Sequence, residues 1–418
     1  MIEIERYSLT NGLRVCLNRD PTAPLAAVNL WYHVGSKDEQ PGRTGFAHLF
    51  EHMLFSGSEH VGNNEHFRYV QSVGGNLNGS TFFDRTNYYE TLPSNYLSLA
   101  LWLESDRMGW FLPALTQEKL DVQKNVVQEE RRLRYDNAPY GTWFEELLSL
   151  AYDDDFPYSW PTIGSMDDIQ AASLEDVRAF FSDWYGPQNA VLTVAGDFDP
   201  GEARDLIESY FSEIPARRTP DRRAFSRRPS NPDARKVIPA QVHSPRLFRL
   251  YHTGSMGSSD WIAADLLASL LTSGKSSRLV RKLTMERKLA HDVSLFALPT
   301  EATGMLILSS TPVDGVSVEA LEGAIDDELH ALAGEIESEE IERVRSQTRM
   351  GHARQIESLE SRADLIGMMQ TFFGEPDLVN QWPERYLHVS GKELSSAAEP
   401  LFSKENRVAV IFQPERAS

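Results

Sequence analysis

In the stretch "RTGFAHLFEHMLFSG", His48, Glu51 and His52 have types and spacing that could do chemistry. Residues four apart lie on one face of a helix, so His48 and His52 can offer two imidazole nitrogens to one ion. Glu51 follows His48 by one turn and adjoins His52. It can stand beside such an ion without binding it, within reach of a water on the metal. From there a carboxylate can take a proton as the water attacks a carbonyl. A bare H-x-x-x-H on an apolar helix is more often packing. Glu51 changes that balance, because a carboxylate in an apolar stretch is costly without a partner.

A catalytic zinc needs three protein ligands and an open fourth position. The stretch "DVQKNVVQEERRL" offers Glu129 and Glu130 on a second expected helix. Projected at about 100° per residue, Val126, Val127 and Leu133 define its apolar face, with Glu130 at the centre. Glu129 lies roughly a quarter turn away on the same projection. Glu130 is therefore expected as the third ligand, and Glu129 is left to solvent or to support of the site. Gln123, two turns before Glu130, points the same way. It is expected either to hydrogen-bond a ligand or to stand half-exposed.

The elements that must position these residues alternate irregularly along the chain. Strands are expected at 26–34, 76–82, 86–92 and 190–195, and helices at 44–55, 96–110, 117–134 and 174–184. Short polar turns, as between 82 and 86, imply antiparallel pairing. This favours an α+β fold.

The chain also reads as one unit written twice. "NLWYHVGS" and "FRLYHTGS" share a Y-H-x-G-S motif that begins at Tyr32 and at Tyr251, 219 residues apart. "NAVLTVAGDF" and "NRVAVIFQPE" begin at Asn189 and Asn406, 217 residues apart. Two matches in order indicate duplication. The expected organisation is two tandem homologous domains, 1–215 and 241–418, each a mostly antiparallel sheet packed with helices. An Arg/Pro-rich linker would fill 216–240. Shifting His48, Glu51 and His52 by 219 gives Leu267, Leu270 and Leu271. The second copy fills the site with leucine, so the fold does not require the polar trio.

The 418 residues exceed one core, and 41% hydrophobic content suits packed domains. The net charge of −20, from 61 acidic and 41 basic residues, argues against a nucleic-acid binder. Cys16 is the single cysteine, which rules out an intrachain disulfide or a cysteine-based metal site. No run reaches the roughly 18 apolar residues of a membrane span, and the N-terminus lacks a signal-peptide pattern. A cytoplasmic location is expected, or a periplasmic or secreted one for a chain whose leader has been removed.

Four stretches carry a resemblance: "GRTGFAHLFEHMLFSGS", "GGNLNGSTFFDRTNYYETLP", "VQKNVVQEERR" and "SSRLVRKLTMERKLA". They resemble the pitrilysin family of inverted-motif (H-x-x-E-H) zinc peptidases, in particular short members related to mitochondrial processing peptidase. The resemblance implies that His48, His52 and Glu130 hold zinc and that Glu51 is the general base. It also implies that Asn78, Gly79, Ser80 and Thr81 form an edge strand pairing with a substrate backbone. Two departures stand out. Gln123 occupies a position usually held by Glu. Thr284 and His291 stand where active relatives carry an Arg and a Tyr that grip the substrate carbonyl.

The function expected is a zinc metalloendopeptidase that cleaves unstructured peptides inside a chamber. Two chains of such short members form a clamshell of four homologous domains. The missing Arg and Tyr imply a heterodimer with a non-zinc homologous subunit, a homodimer being the other option. The competing expectation is a weak or structural homologue within a larger complex.

Overall fold

The computed structural model describes residues 1–222, 231–334 and 336–415. They form two compact units. The first comprises Met1–Glu130, Thr162–Arg223 and His352–Trp382; the second comprises Arg131–Pro161, Ala224–Gly351 and Pro383–Ser418.

The first unit is built on six strands: β1 (Glu5–Ser8), β2 (Arg14–Arg19), β3 (Leu25–Tyr32), β4 (Asn76–Thr81), β5 (Thr86–Pro93) and β6 (Ala190–Gly196). Their order across the sheet is β1-β2-β6-β3-β5-β4. All neighbours are antiparallel except β2 and β6. The central strands β3 and β6 are buried almost end to end, as their continuous apolar runs require. The last strand, β4, reads "NLNGST", exposes Asn76 and Asn78, and lies at the edge of the sheet.

One face of this sheet carries the helix Phe46–Met53. The helix Leu359–Phe373 packs across β3 and β6. Small residues let that second helix approach closely: Ala363 packs on Ala27 and Ala195. A Cβ on Gly367 would come within 3.0 Å of the Trp31 ring.

The second unit has β7 (Ala234–Ala240), β8 (Arg246–Thr253), β9 (Ala290–Leu298), β10 (Gly304–Pro312) and β11 (Arg407–Pro414), in the order β7-β11-β8-β10-β9. This repeats five strands of the first sheet, down to a single parallel pair, β7 with β11. The helix Trp143–Ala151 packs on β8 and β11.

The duplicated motifs have duplicated jobs. The Asn189 amide donates to the carbonyls of His33 and Trp184 at 3.2 and 2.8 Å. The Asn406 amide donates to the carbonyls of His252 and Leu401 at 2.9 and 2.8 Å. The shared glycines are fixed by close approach. A Cβ on Gly35 would fall 2.2 Å from the Phe82 carbonyl oxygen, and one on Gly254 would fall 2.3 Å from Ser258 Oγ.

Two expectations change. The span 216–240 is not linker throughout. Residues 234–240 form β7, and 223–230 lie outside the described residues. The charged, proline-containing "ARKVIPA" hides a strand because β7 is an edge, where such residues are tolerated. The compact units also differ from the two halves of the sequence. Each includes a helix from the opposite half: Leu359–Phe373 in the first unit, Trp143–Ala151 in the second.

Candidate metal centre and edge strand

The helix that carries the histidines starts at Phe46, after Gly45, whose φ of 84° is left-handed. Its N-terminus is tied down by carboxylates. Glu39, 5% exposed, accepts hydrogen bonds from the Gly45 and Ala47 amides at 2.9 and 2.8 Å. Asp168 accepts from the Thr44 amide and hydroxyl at 2.9 and 2.7 Å. Negative charge there also suits the helix dipole. Phe46, Ala47, Leu49, Phe50 and Met53 are buried, and Phe50 stacks on Tyr185 with ring centroids 5.0 Å apart. His48, Glu51 and His52 are left on the half-buried side.

On that side the three expected ligands converge. His48 Nε2 and His52 Nε2 lie 3.4 Å apart. Glu130 Oε2 lies 3.7 Å from the first and 3.2 Å from the second. Zinc bonds of about 2.0–2.1 Å in tetrahedral geometry put ligand atoms about 3.3 Å apart. The triangle therefore fits a single zinc ion without rearrangement. Among the described residues it is the one group of three or more His, Cys, Asp or Glu side chains close enough to hold a metal.

The helix Gln117–Arg131 delivers Glu130, by a route that differs from the expected one. Val126 and Leu133 are 42% and 68% exposed. The buried face is instead Leu120, Lys124 and Val127. Lys124 is seated by donating to the carbonyl of Gln170 at 2.9 Å and to that of Ala172. Glu130 lies one turn beyond Val127 and so reaches the histidines. Glu129 is exposed and outside the triangle. Gln123 is half-buried and makes no hydrogen bond among the described residues.

Glu51 faces the edge strand. Its Oε2 accepts a 2.7 Å hydrogen bond from the Thr81 hydroxyl. Burial raises the carboxyl above its ordinary range, while Thr81, His52 and Arg85 act in the other direction. The strand passes close by because residue 79 is glycine. A Cβ there would stand 3.0 Å from the Phe55 ring and 3.3 Å from Glu51 Cγ. Asn78 is exposed, and its side-chain oxygen accepts from the Gly79 amide at 2.9 Å. The Ser80 hydroxyl donates to Asn87 Oδ1 at 2.8 Å. Arg85 clamps the hairpin by donating through Nη1 to the Ser80 carbonyl at 2.8 Å and to Asn87 Oδ1 at 2.9 Å.

Sequence reasoning missed Glu39, Asp168 and Arg85. Glu39 and Asp168 could have been sought as acidic residues near a helix start, but Asp168 lies far away in sequence. In the second unit, Leu267, Leu270 and Leu271 are all fully buried, so the leucine substitution is core packing. Thr284 spends its hydroxyl on the Val280 carbonyl at 2.6 Å, and His291 is exposed.

A zinc-ready triad on an inverted motif, set beside the free edge of a duplicated α+β domain, defines a class. The chain belongs to the pitrilysin, or M16, family of zinc-dependent peptidases. Residues 14–158 match the family model "Insulinase (Peptidase family M16)", and residues 171–348 match "Peptidase M16 inactive domain".

Among its relatives is the zinc protease PqqE of Helicobacter pylori, 29% identical, with 98% of this chain and 93% of that protein covered. The uncharacterized zinc protease YmxG of Bacillus subtilis is 26% identical, with 98% of each covered. The crystal structure of a protease from Helicobacter pylori superposes with a TM-score of 0.90 at 27% identity, covering 99% of this chain and 100% of that one. An M16 inactive-domain structure from Pseudomonas fluorescens shares the fold, with a TM-score of 0.86 at 17% identity, covering 100% of this chain and 99% of that one. No helix among the described residues is long and apolar enough to cross a membrane.

Proposed function

We propose that this chain is a zinc endopeptidase in which His48, His52 and Glu130 hold the metal and Glu51 is the general base. The observation that carries the reading is the ligand triangle, with sides of 3.2, 3.4 and 3.7 Å, beside a buried carboxylate. Zinc supplies a Lewis acid and makes water acidic enough to attack near neutral pH. The rest falls to the chain's own residues. Glu51 Oε2 is engaged by Thr81, so Oε1, without a hydrogen-bond partner among the described residues, is the atom that accepts the proton. The free edge of β4 offers main-chain donors and acceptors to an extended peptide, which Asn78, Gly79, Ser80 and Thr81 align.

Substrates are unstructured peptides, because a folded chain cannot present an extended backbone to an edge. The active form is one half of a heterodimer enclosing a chamber with a non-zinc homologue. Thr284 and His291 motivate this, since neither replaces the Arg and Tyr of active relatives. The test is the Glu51→Gln protein: it should bind one zinc per chain, fold normally and lose about 10²–10⁴-fold in peptide hydrolysis. Full hydrolysis by the zinc-loaded variant would remove Glu51 from the mechanism.

A further inference from the structure

The sheet face opposite Glu51 carries a second feature at the same edge. Side chains alternate across β4, so Thr81 and Gly79 face the histidine helix while Asn78 and Ser80 face the other way. On that other side the rows run Asn78–Tyr89–Asn29 and Ser80–Asn87–Trp31 across β4, β5 and β3. The helix Leu359–Phe373 covers β3 and β6 and stops short of the edge. A cavity of about 270 Å³ remains, floored by Ser80, Asn87 and Tyr89 and walled by Glu360 and Asp364. A strand added to β4 would lie about 4.8 Å from it, so every second side chain would point toward this cavity.

The charges of the cavity select what enters. Arg85 is the one basic residue of the lining, and it is already committed. Its Nη1 holds Ser80 and Asn87, and its guanidinium lies 5.4 Å from the Trp31 ring centroid. Asp364 Oδ1 accepts only neutral donors: Trp31 Nε1 at 2.8 Å, Asn87 Nδ2 at 2.9 Å and Asn29 Nδ2 at 3.3 Å. Glu360 is half-buried and makes no hydrogen bond or ion pair among the described residues. Burial and the neighbouring Asp364 raise its carboxyl, the behaviour of an acid that lacks a cation. With two acids against one engaged arginine, the cavity carries a net negative charge.

We propose that this cavity is a specificity pocket for a lysine or arginine side chain of the bound peptide, with Glu360 as the residue that recognises it. The proposal rests on strand addition at β4, part of the function proposed above. A long basic side chain reaches across Asn78 and Ser80 with its stem on the strand and its charge at Glu360. A glutamate at the same place meets two carboxylates, and an alanine leaves Glu360 without a counter-ion.

The test uses the full chain, zinc-loaded, and an unstructured peptide in which a single Lys, Arg, Ala or Glu is scanned along the sequence. Cleavage is read as kcat/KM. Binding is read by fluorescence anisotropy on the Glu51→Gln protein, so that recognition is measured without turnover. Lys and Arg should be preferred over Ala by about 10-fold, the scale of one charge-assisted hydrogen bond at a partly exposed site. The preference should appear at one position and be absent at its immediate neighbours, which face the other side. Glu360→Gln should bring the ratio close to one, and Glu360→Lys should invert it in favour of Glu. The nearby exposed Glu357→Gln should keep the wild-type ratio, with melting curves checking each fold.

A Lys preference that survives Glu360→Gln, or no preference at any position, overturns the pocket. Cleavage without selectivity defeats the pocket and leaves the peptidase reading standing. Selective binding without cleavage by the wild type does the reverse.

Discussion

The Thr81 hydroxyl donates a 2.7 Å hydrogen bond to Glu51 Oε2, joining the free edge strand to the helix that carries both histidines. A peptide that pairs with β4 therefore docks on the strand that orients the proposed base. Thr81→Val keeps the shape of the side chain and removes the donor. It should lower kcat by about 10-fold, in line with about 1.5 kcal/mol for a hydrogen bond to a charged group, while zinc content stays at one per chain. Thr81→Ser should restore most of the rate. If Thr81→Val turned over as fast as wild type, the contact would be structural only.

Metal content separates the two adjacent glutamates. Glu130→Gln should weaken zinc binding by more than about 100-fold, since loss of a supporting residue alone costs about 10–100-fold. Glu129→Gln, at an exposed side chain outside the triangle, should leave it unchanged. The measurement is zinc per chain after dialysis against a graded chelator. Zinc loss in Glu129→Gln alone would reverse the assignment.

What was legible in the sequence was whatever follows from local periodicity. His48, Glu51 and His52 share a face because four residues make about one turn, and the helix Leu174–Trp184 was read to the residue. The duplication was legible because the repeated asparagines and glycines perform fixed backbone tasks in both copies. The third ligand was reached through a wrong face: Val126 and Leu133 are apolar yet exposed, and Lys124 is charged yet buried. Hydropathy could not show that Lys124 spends its ammonium group on two carbonyls from a distant segment. The traded helices were likewise invisible. Ala363 and Gly367 fit β3 and β6 through close approach between segments distant in sequence, 336 residues from Ala27 to Ala363 (363 − 27) and 168 from Ala195 to Ala363 (363 − 195), which leaves no periodic trace.

The duplicated asparagines give a paired stability test. Asn406→Ala strips two buried carbonyls of their amide donor, whereas Asn189→Ala strips that of Trp184 and leaves that of His33 to the Arg222 guanidinium. Asn406→Ala should destabilise its unit by about 2–3 kcal/mol and Asn189→Ala by about 1–2 kcal/mol, from the cost of leaving two buried acceptors or one unsatisfied. Hydrogen exchange should report faster opening in the unit that holds the mutated residue. Equal effects on both units from either change would contradict independent copies.

Partner dependence tests the heterodimer. Thr284 and His291 offer no preorganised cationic or phenolic donor of the kind active relatives place there. The chain alone should bind zinc but turn over about 10²–10³-fold more slowly than with a co-expressed non-zinc homologue, the usual weight of one oxyanion donor. The assay is peptide hydrolysis by the chain alone and by the co-purified pair. Robust activity alone, unaffected by the partner, would refute the idea. Stimulation lost on mutating an Arg or Tyr of the partner would support it.

The second unit holds an acid whose cost to the fold depends on pH. Asp265 lies on the helix Ser259–Thr272, and burial pushes its carboxyl up from 3.8 to about 6, opposed by a hydrogen bond to Tyr386. Below pH 3.8 both the native and the unfolded chain hold the proton, and the group is neutral in its effect. Between 3.8 and about 6 the unfolded chain releases the proton while the native state keeps it, so stability falls as pH rises through this window. Above it the loss is complete, at about 2 kcal/mol after allowance for partial exposure. Asp265→Asn removes the ionisation and keeps an acceptor for Tyr386. It should therefore stabilise the protein at pH 7.5, and by about 1 kcal/mol less at pH 5. Urea unfolding of both proteins at the two pH values checks the sign: a stability gain that is larger at pH 5 would show that Asp265 is stabilised as the carboxylate and that its shift runs the other way.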